Sequence, residues 1–162
     1  VERNGITLRI AEAGTGPTVL MAQGIPASWA SWRHHLKALA AAGYHAVAPD
    51  MRGYGLTSAP AEPEQYLLDI LAADMVGILD ALKVEQGHMA GHDWGSPVAS
   101  HTVVRYPHRF KSLTLMSVPY GPRAPAAPSS SRRRRRARSS HARATIRTPR
   151  PCKAACAAIH LR

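Results

Sequence analysis

From Val1 to Gly121 the sequence has no cysteine, only one phenylalanine, and no apolar run of membrane-spanning length. Both cysteines of the chain, Cys152 and Cys156, fall beyond that stretch. Two cysteines one helical turn apart make a poor disulfide, so a reducing compartment is expected. No charged-then-apolar signal segment opens the chain, which starts at Val1 without a methionine. The expectation is a cytoplasmic protein with no membrane association. After Gly121 the shortages change in kind. Residues 122–162 have no acidic residue and no aromatic residue, and their only large aliphatics are Ile146, Ile159 and Leu161.

Charge divides at the same place. Residues 1–121 carry 9 Lys+Arg against 10 Asp+Glu, whereas residues 122–162 carry 12 Lys+Arg and no acid, so the net +11 belongs to the tail. A chain of 162 residues is long enough for one domain with a real core. The tail cannot bury enough apolar surface to order itself. The predicted organisation is therefore a folded unit over 1–121 and a disordered, low-complexity Arg/Ala/Pro/Ser segment over 122–162.

Within that segment Arg132 to Arg136 form an unbroken run, followed by Arg138, Arg143, Arg147 and Arg150. Such a run binds phosphate by counterion release. No aromatic residue is interleaved for stacking on bases, so only non-specific nucleic-acid binding by 132–150 is expected. Arg, Ala, Pro and Ser have mostly GC-rich codons, and a GC-rich gene read out of frame yields this mixture. A frameshift between Arg123 and Arg132 is the favoured explanation. Cys152, Cys156 and His160 fall on one face of a short helix if one forms there. A structural zinc site needs four ligands and Pro149 and Pro151 flank the segment, so no metal is expected.

The front alternates strand-like and helix-like segments. Strands are predicted over Ile6 to Ala11, Thr18 to Ala22, Tyr44 to Ala48, Val84 to Ala90 and about Leu113 to Val118. Trp29, Trp32, Leu36 and Leu39 recur at helical spacing, with Gly43 as the stop. Leu67, Leu71, Met75, Ile78 and Leu82 mark a second helix, and Ser96 to Tyr106 a third. Alternation of this kind implies a mostly parallel sheet covered on both faces, with ligands at the carboxyl ends of its strands. Three loops sit at those ends: Gln23 to Ala27, Asp50 to Gly55, and Gly91 to Gly95. The sheet is expected to end at the strand near Leu115 with an uncovered apolar edge.

The last of these loops, Gly91-His92-Asp93-Trp94-Gly95, carries the most chemistry. Gly-x-nucleophile-x-Gly between a strand and a helix is the pattern of a nucleophile elbow. The turn is so sharp that side chains two positions either side of the centre would meet neighbouring backbone, hence glycine at 91 and 95. The central residue is Asp93. A carboxylate is already nucleophilic at neutral pH and suits attack on an electrophilic saturated carbon. The helix N-terminus beneath it favours the ionised form.

Four segments in order resemble the epoxide hydrolases of the α/β-hydrolase fold. They are Asn4-Gly5-Ile6 to Gly14; Gln23 to Trp29; Ser31 to His34 together with Ala48 to Gly55; and Gly91 to Gly95. The resemblance covers roughly residues 4–123. It implies the N-terminal part of a doubly wound, mostly parallel α/β-hydrolase sheet, truncated before the cap and the C-terminal strands. It further implies an alkyl-enzyme ester on Asp93, formed from a small-molecule epoxide, and no cofactor. By match, the backbone N–H groups of Ile25 and Trp94 form the oxyanion hole, with Gly24, Pro26, Gly91 and Gly95 supporting the loops. The family motif His-Gly-x-Pro reads Gln23-Gly24-Ile25-Pro26 here.

No catalytic histidine or charge-relay acid is identifiable. His101 lies two turns down the helix from Asp93, about 12 Å along its axis. His92 should point away from Asp93. Asp50 and Arg52 are expected to brace their loop. The related haloalkane dehalogenases use the same elbow, but often with a halide-holding asparagine where Ile25 stands. The expectation is an epoxide hydrolase-like chain that does not turn over, and no oligomeric state can be read from it.

Overall fold

The computed structural model describes residues 1–118 and 156–160. Asn4 and Gly5 take φ of 50° and 73° and fold β1 (Glu2–Arg3) back on β2 (Ile6–Thr7). An Asn-Gly pair is the usual solution for a two-residue hairpin whose two turn residues both need positive φ. The single strand predicted from Ile6 to Ala11 is in fact two, because β3 (Ile10–Ala13) belongs to a different sheet. Leu8 and Arg9 separate them. Their N–H groups go to the Val1 carbonyl (2.7 Å) and to Thr57 Oγ1 (2.9 Å) rather than to a strand partner.

The remaining front elements follow the predicted order. They are β4 (Thr18–Ala22), α1 (Arg33–Ala41), β5 (His45–Pro49), α2 (Leu68–Ala81), β6 (Gly87–His92), α3 (Gly95–Arg105) and β7 (Phe110–Met116). A short 3₁₀ turn, Trp29–Trp32, leads into α1, capped by the Ser28 hydroxyl, which accepts from the Ala30 N–H. The sheet order is β3-β5-β4-β6-β7, with β4, β5, β6 and β7 parallel and β3 antiparallel on its edge. This is the mostly parallel α/β sheet anticipated from the alternation of strands and helices.

Alternate residues of each strand enter two separate cores. Leu20, Ala22, Val47, Met89, Leu113 and Leu115 join α2 and α3 residues such as Met75, Ile78, Leu79 and Val98. Met21, Ala46, Ala48 and Ala90 pack against Trp32 and Leu36 on the other face. Each fully buried Leu, Val or Met side chain contributes on the order of 1.5–3 kcal/mol relative to exposure.

From β4 the chain crosses outward to β5, then returns across β4 to β6. The connections therefore diverge at β4, and the crevice this leaves at the carboxyl ends of β4 and β6 is where open α/β sheets bind ligands.

The open edge predicted at β7 carries a sixth strand. β8 (Cys156–His160) runs antiparallel to it, with Met116 opposite Cys156 and Ser112 opposite His160. These five residues depart from the expectation of a chain without order after residue 121, and from a helical placement of Cys156 and His160. The reason is backbone pairing: an edge strand presents a row of free N–H and C=O groups to any extended segment, whatever its side chains. The expected boundary at 121/122, the arginine run 132–150 and Cys152 lie outside the described residues. Among the described residues no helix is long and apolar enough to cross a membrane, and no cluster of His, Cys, Asp or Glu is arranged to hold a metal.

Candidate active site

Asp93 directly follows β6 and precedes the residue that caps α3, and its backbone takes φ +51°. A non-glycine residue held there is strained and must be over-determined by its surroundings. The bonds that do so are visible. The Asp93 N–H donates to the Met116 carbonyl (3.2 Å) and the Ser96 N–H to the Asp93 carbonyl (2.9 Å). The buried Ser96 hydroxyl lies 3.0 Å from each of the Gly91 and Met116 carbonyls. The flanking glycines leave no room for side chains. A Cβ on Gly91 would sit against the Gly95 carbonyl and 2.8 Å from Ala99 Cβ; one on Gly95 would meet the carbonyls of Ala22 and Gln23.

The loop after β4 closes over the carboxylate. Ala27 N–H donates to the Gly24 carbonyl (3.1 Å) across a turn that contains the cis Ile25–Pro26 peptide. The Ile25 N–H donates to Asp93 Oδ1 at 2.9 Å. Gly24 makes this approach feasible, since a Cβ there would lie 2.5 Å from Asp93 Cβ and 2.7 Å from its Oδ1. Hydrogen bonds from the backbone N–H groups of Ile25 and then Trp94 hold the Asp93 carboxyl below the ordinary carboxylate range. Partial burial opposes them, and the neighbouring His92 adds a smaller downward pull. The structure thus brings Gly24, Ile25, Pro26, Gly91, Asp93, Trp94 and Gly95 together at one point.

Gln23, fully buried, ties this loop to its neighbour. Oriented by its partners, its amide donates to the Pro49 carbonyl (2.8 Å) and accepts from the Met51 N–H (3.0 Å). Asp50, also fully buried, accepts from the Trp29 N–H (2.8 Å), the Leu56 N–H (3.3 Å) and Arg9 Nη1 (3.4 Å). Arg52 forms a two-pronged pair with buried Asp74 (2.8 and 2.9 Å) and donates to Gln65 Oε1 (3.0 Å), while Asn4 donates to Asp74 (3.0 Å). Both residues of the 50–55 loop brace it.

Several of the front histidines are occupied elsewhere. His101 bonds Asp69 at 2.8 Å on the outer side of α3, and that contact holds the Asp69 carboxyl below its ordinary range. His45 bonds Glu12 (3.0 Å), and His88 contacts Ser112 (2.7 Å). The His92 ring stands edge-on to Trp32 with centroids 6.4 Å apart. Among the described residues no histidine hydrogen-bonds to the Asp93 carboxylate.

Pattern reading missed the walls of the site. A cavity of 230 Å³ is lined by Ile25, Met51, Arg52, Tyr54, Tyr66, Leu71 and Trp94. Tyr54 and Tyr66 reach it from a loop and a short 3₁₀ turn, where no periodicity marks them. The only signal was the Gly-flanked aromatic in Gly53-Tyr54-Gly55. Burial, and after it the charge of Asp93, push the Tyr54 phenol pKa up.

Several known proteins share this arrangement of sequence and fold. An epoxide hydrolase of Siraitia grosvenorii is 46% identical over 128 residues, which is 79% of this chain and 40% of that protein. Epoxide hydrolase A of Mycobacterium tuberculosis is 44% identical over 131 residues, covering 80% of this chain and 41% of its own length. The crystal structure of an epoxide hydrolase from Vigna radiata superposes with a TM-score of 0.76 at 43% identity, over 80% of this chain and 42% of that one. The chain therefore spans about 40% of the length of the relatives it matches. The sequence profile of the alpha/beta hydrolase fold matches residues 17–149, most of the chain. With strand order, elbow and sequence in agreement, the protein belongs to the α/β-hydrolase fold family.

Proposed function

We propose that this chain carries the nucleophile half of an epoxide-hydrolase site. The observation that carries the reading is the Asp93 carboxylate. It is ionised and half-buried, and held at a strained elbow by the backbone N–H groups of Ile25, which bonds Oδ1, and of Trp94, with no side-chain hydrogen-bond partner among the described residues. Oδ2 attacks a ring carbon of the epoxide. A C–O ester bond forms, the ring C–O bond at that carbon breaks, and the released oxygen takes a proton from water. The Ile25 and Trp94 N–H groups then surround the ester carbonyl, where an oxyanion develops when water attacks. One such donor is worth roughly 10²–10³ in rate. Gly24, Pro26, Gly91 and Gly95 hold the two loops at this separation.

Hydrolysis of the ester needs a base, and no histidine among the described residues is bonded to Asp93. The 162-residue chain is expected to stop at the ester. Incubation with an epoxide should add one epoxide mass to the protein, mapped by peptide analysis to Asp93, and should form less than one equivalent of diol. Asp93→Asn should slow that labelling by more than about 10³-fold. Labelling that survives Asp93→Asn would remove the assignment, and sustained diol release would remove the half-site reading.

Two other readings have weaker support. A haloalkane substrate would use the same carboxylate, but Ile25 offers only its backbone N–H to a halide. The arginines of 132–150 support non-specific, salt-sensitive nucleic-acid binding, which is independent of Asp93. A cytoplasmic location follows from the reducing-compartment argument alone.

A further inference from the structure

We propose that Gln23 is a positioning residue for Asp93, acting through Ile25, and that its amide makes the first end of the loop after β4 indifferent to pH. The effect on rate rests on the reading of Asp93 as nucleophile; the brace itself does not.

Backbone pairing between β4 and β5 runs from Thr18 opposite His45 to Leu20 opposite Val47 and then stops, while β4 stays paired to β6 as far as Ala22 and Gly91. The crevice opens where β4 and β5 part. The fully buried Gln23 side chain spans that gap, bonding Pro49 and Met51 on its other side. Gly95 stands close behind, where any Cβ would run into the Gln23 carbonyl. The loop is thus attached at both ends to three consecutive residues, Gln23 to Pro49 and Met51, and Trp29 to Asp50. Between those attachments the Ile25 N–H reaches Asp93 Oδ1. Where that donor stands is set two residues earlier, by the Gln23 amide.

Its two partners dictate what can serve at this position. Pro49 offers a carbonyl, which only accepts, and Met51 an N–H, which only donates. The side chain must present one donor and one acceptor together, in a buried place where an unmatched polar group is costly. A primary amide does so at every pH. An imidazole, the group of the related motif, does so only when neutral; protonated, it turns a second donor on the Met51 N–H. A carboxyl does so only when protonated; ionised, it turns a second acceptor on the Pro49 carbonyl. The titratable groups on the surrounding elements are committed elsewhere. Asp50 is bonded by Trp29, Leu56 and Arg9, Arg52 by Asp74 and Gln65, and Asp93 by Ile25 and Trp94. The His92 ring stands against Trp32, and Tyr54 lines the cavity. None of them bonds the Gln23 amide.

The test replaces Gln23 in the full chain by each titratable group. The readouts are the Ile25 amide nitrogen shift and the rate at which propylene oxide adds its mass to Asp93, both followed from acid to neutral pH against the unaltered chain. The Asp50 end of the loop is the same in every form and drops out of the comparison. Gln23→His should match the unaltered chain at neutral pH. It should lose the Ile25 shift, and on the order of tenfold in rate, as pH falls through the range of a buried imidazole. Gln23→Glu should do the reverse, matching at acid pH and losing both as pH rises through the range of a buried carboxyl. Gln23→Met, with neither donor nor acceptor, should show the loss at every pH. A residue that only filled space would give no opposed profiles. Met51 amide protection from hydrogen exchange in the unaltered chain should stay constant over the range, and it decides the matter if the replacements unfold. Parallel profiles for the His and Glu forms, or Met51 protection that changes with pH, would overturn the inference and leave the nucleophile standing. Opposed Ile25 profiles with no labelling of any form would remove the nucleophile and keep the brace.

Discussion

Asp50 and Asp93 each stand one residue past the end of a parallel strand, on the two sides of β4, and their surroundings make them opposites. Asp50 has no exposed surface, and both its oxygens are filled by two backbone N–H groups and Arg9. Gly55, at φ +54°, is packed so closely against its carboxylate that a Cβ would collide. Asp93 is half-buried, and among the described residues its carboxylate receives only the backbone N–H groups of Ile25 and Trp94. The backbone differs as well: positive φ at Asp93, ordinary strand exit at Asp50. An aspartate at a strand's carboxyl end is thus no marker of reactivity by itself. What sets Asp93, the proposed nucleophile, apart is a carboxylate that the backbone has forced outward and that no side chain among the described residues bonds.

Substitutions can sharpen that contrast. The largest stability change belongs to the braced residue. Asp50→Ala strands two N–H groups in the interior and should cost about 2–4 kcal/mol in urea unfolding. Asp93→Gly relieves the positive φ and should raise the urea midpoint instead. If both lowered the midpoint equally, the distinction between brace and nucleophile would fail.

A smaller effect is expected where the loops touch. Gly24→Ala places a methyl against Asp93 and moves the Ile25 donor away, which should slow ester formation by roughly tenfold with folding retained. An unchanged labelling rate would show that the Ile25 N–H does not matter in the first step.

Acid should have the mildest effect. The Asp93 pKa is lowered, mainly by the Ile25 and Trp94 N–H bonds. Its ionised form therefore persists as pH falls through the ordinary carboxylate range. Ester formation should stay flat there and decline only below it. The sign for stability is the same: Asp93's contribution is present above the unfolded-state pKa and lost as pH falls through the folded one. A rate that already falls within the ordinary range would contradict the donor geometry.

The sequence told most about residues that obey a period or sit in a tight motif. Thr18 to Ala22 alternates between two cores and was legible to the residue. The elbow was legible because Gly91 and Gly95 answer to contacts a few residues away. Ile6 to Ala11 misled because Leu8 keeps the apolar beat while its backbone leaves the sheet. Partnerships between distant residues left no trace. Arg52 and Asp74 are 22 positions apart, and a charged pair in the core looks in sequence like two surface residues. Gln23 read only as a departure from the histidine of the family motif, yet its amide links the ends of two strands. The cavity wall was equally hidden, because loop aromatics carry no periodic signature.

The β4 loop is strung between the two aspartates. The Ile25 N–H is anchored on Asp93 and the Trp29 N–H on Asp50. The strands behind those anchors, β6 and β5, flank β4 and are separated by two strand spacings, roughly 9–10 Å. The number of residues between the anchors is therefore as fixed as the span of a bridge between two piers. Adding or deleting one would detach an end, so this is a loop that tolerates changes of side chain at its crown, such as exposed Ile25, but not changes of length. Under the proposed function, substrate preference can drift there while the geometry of Asp93 stays put.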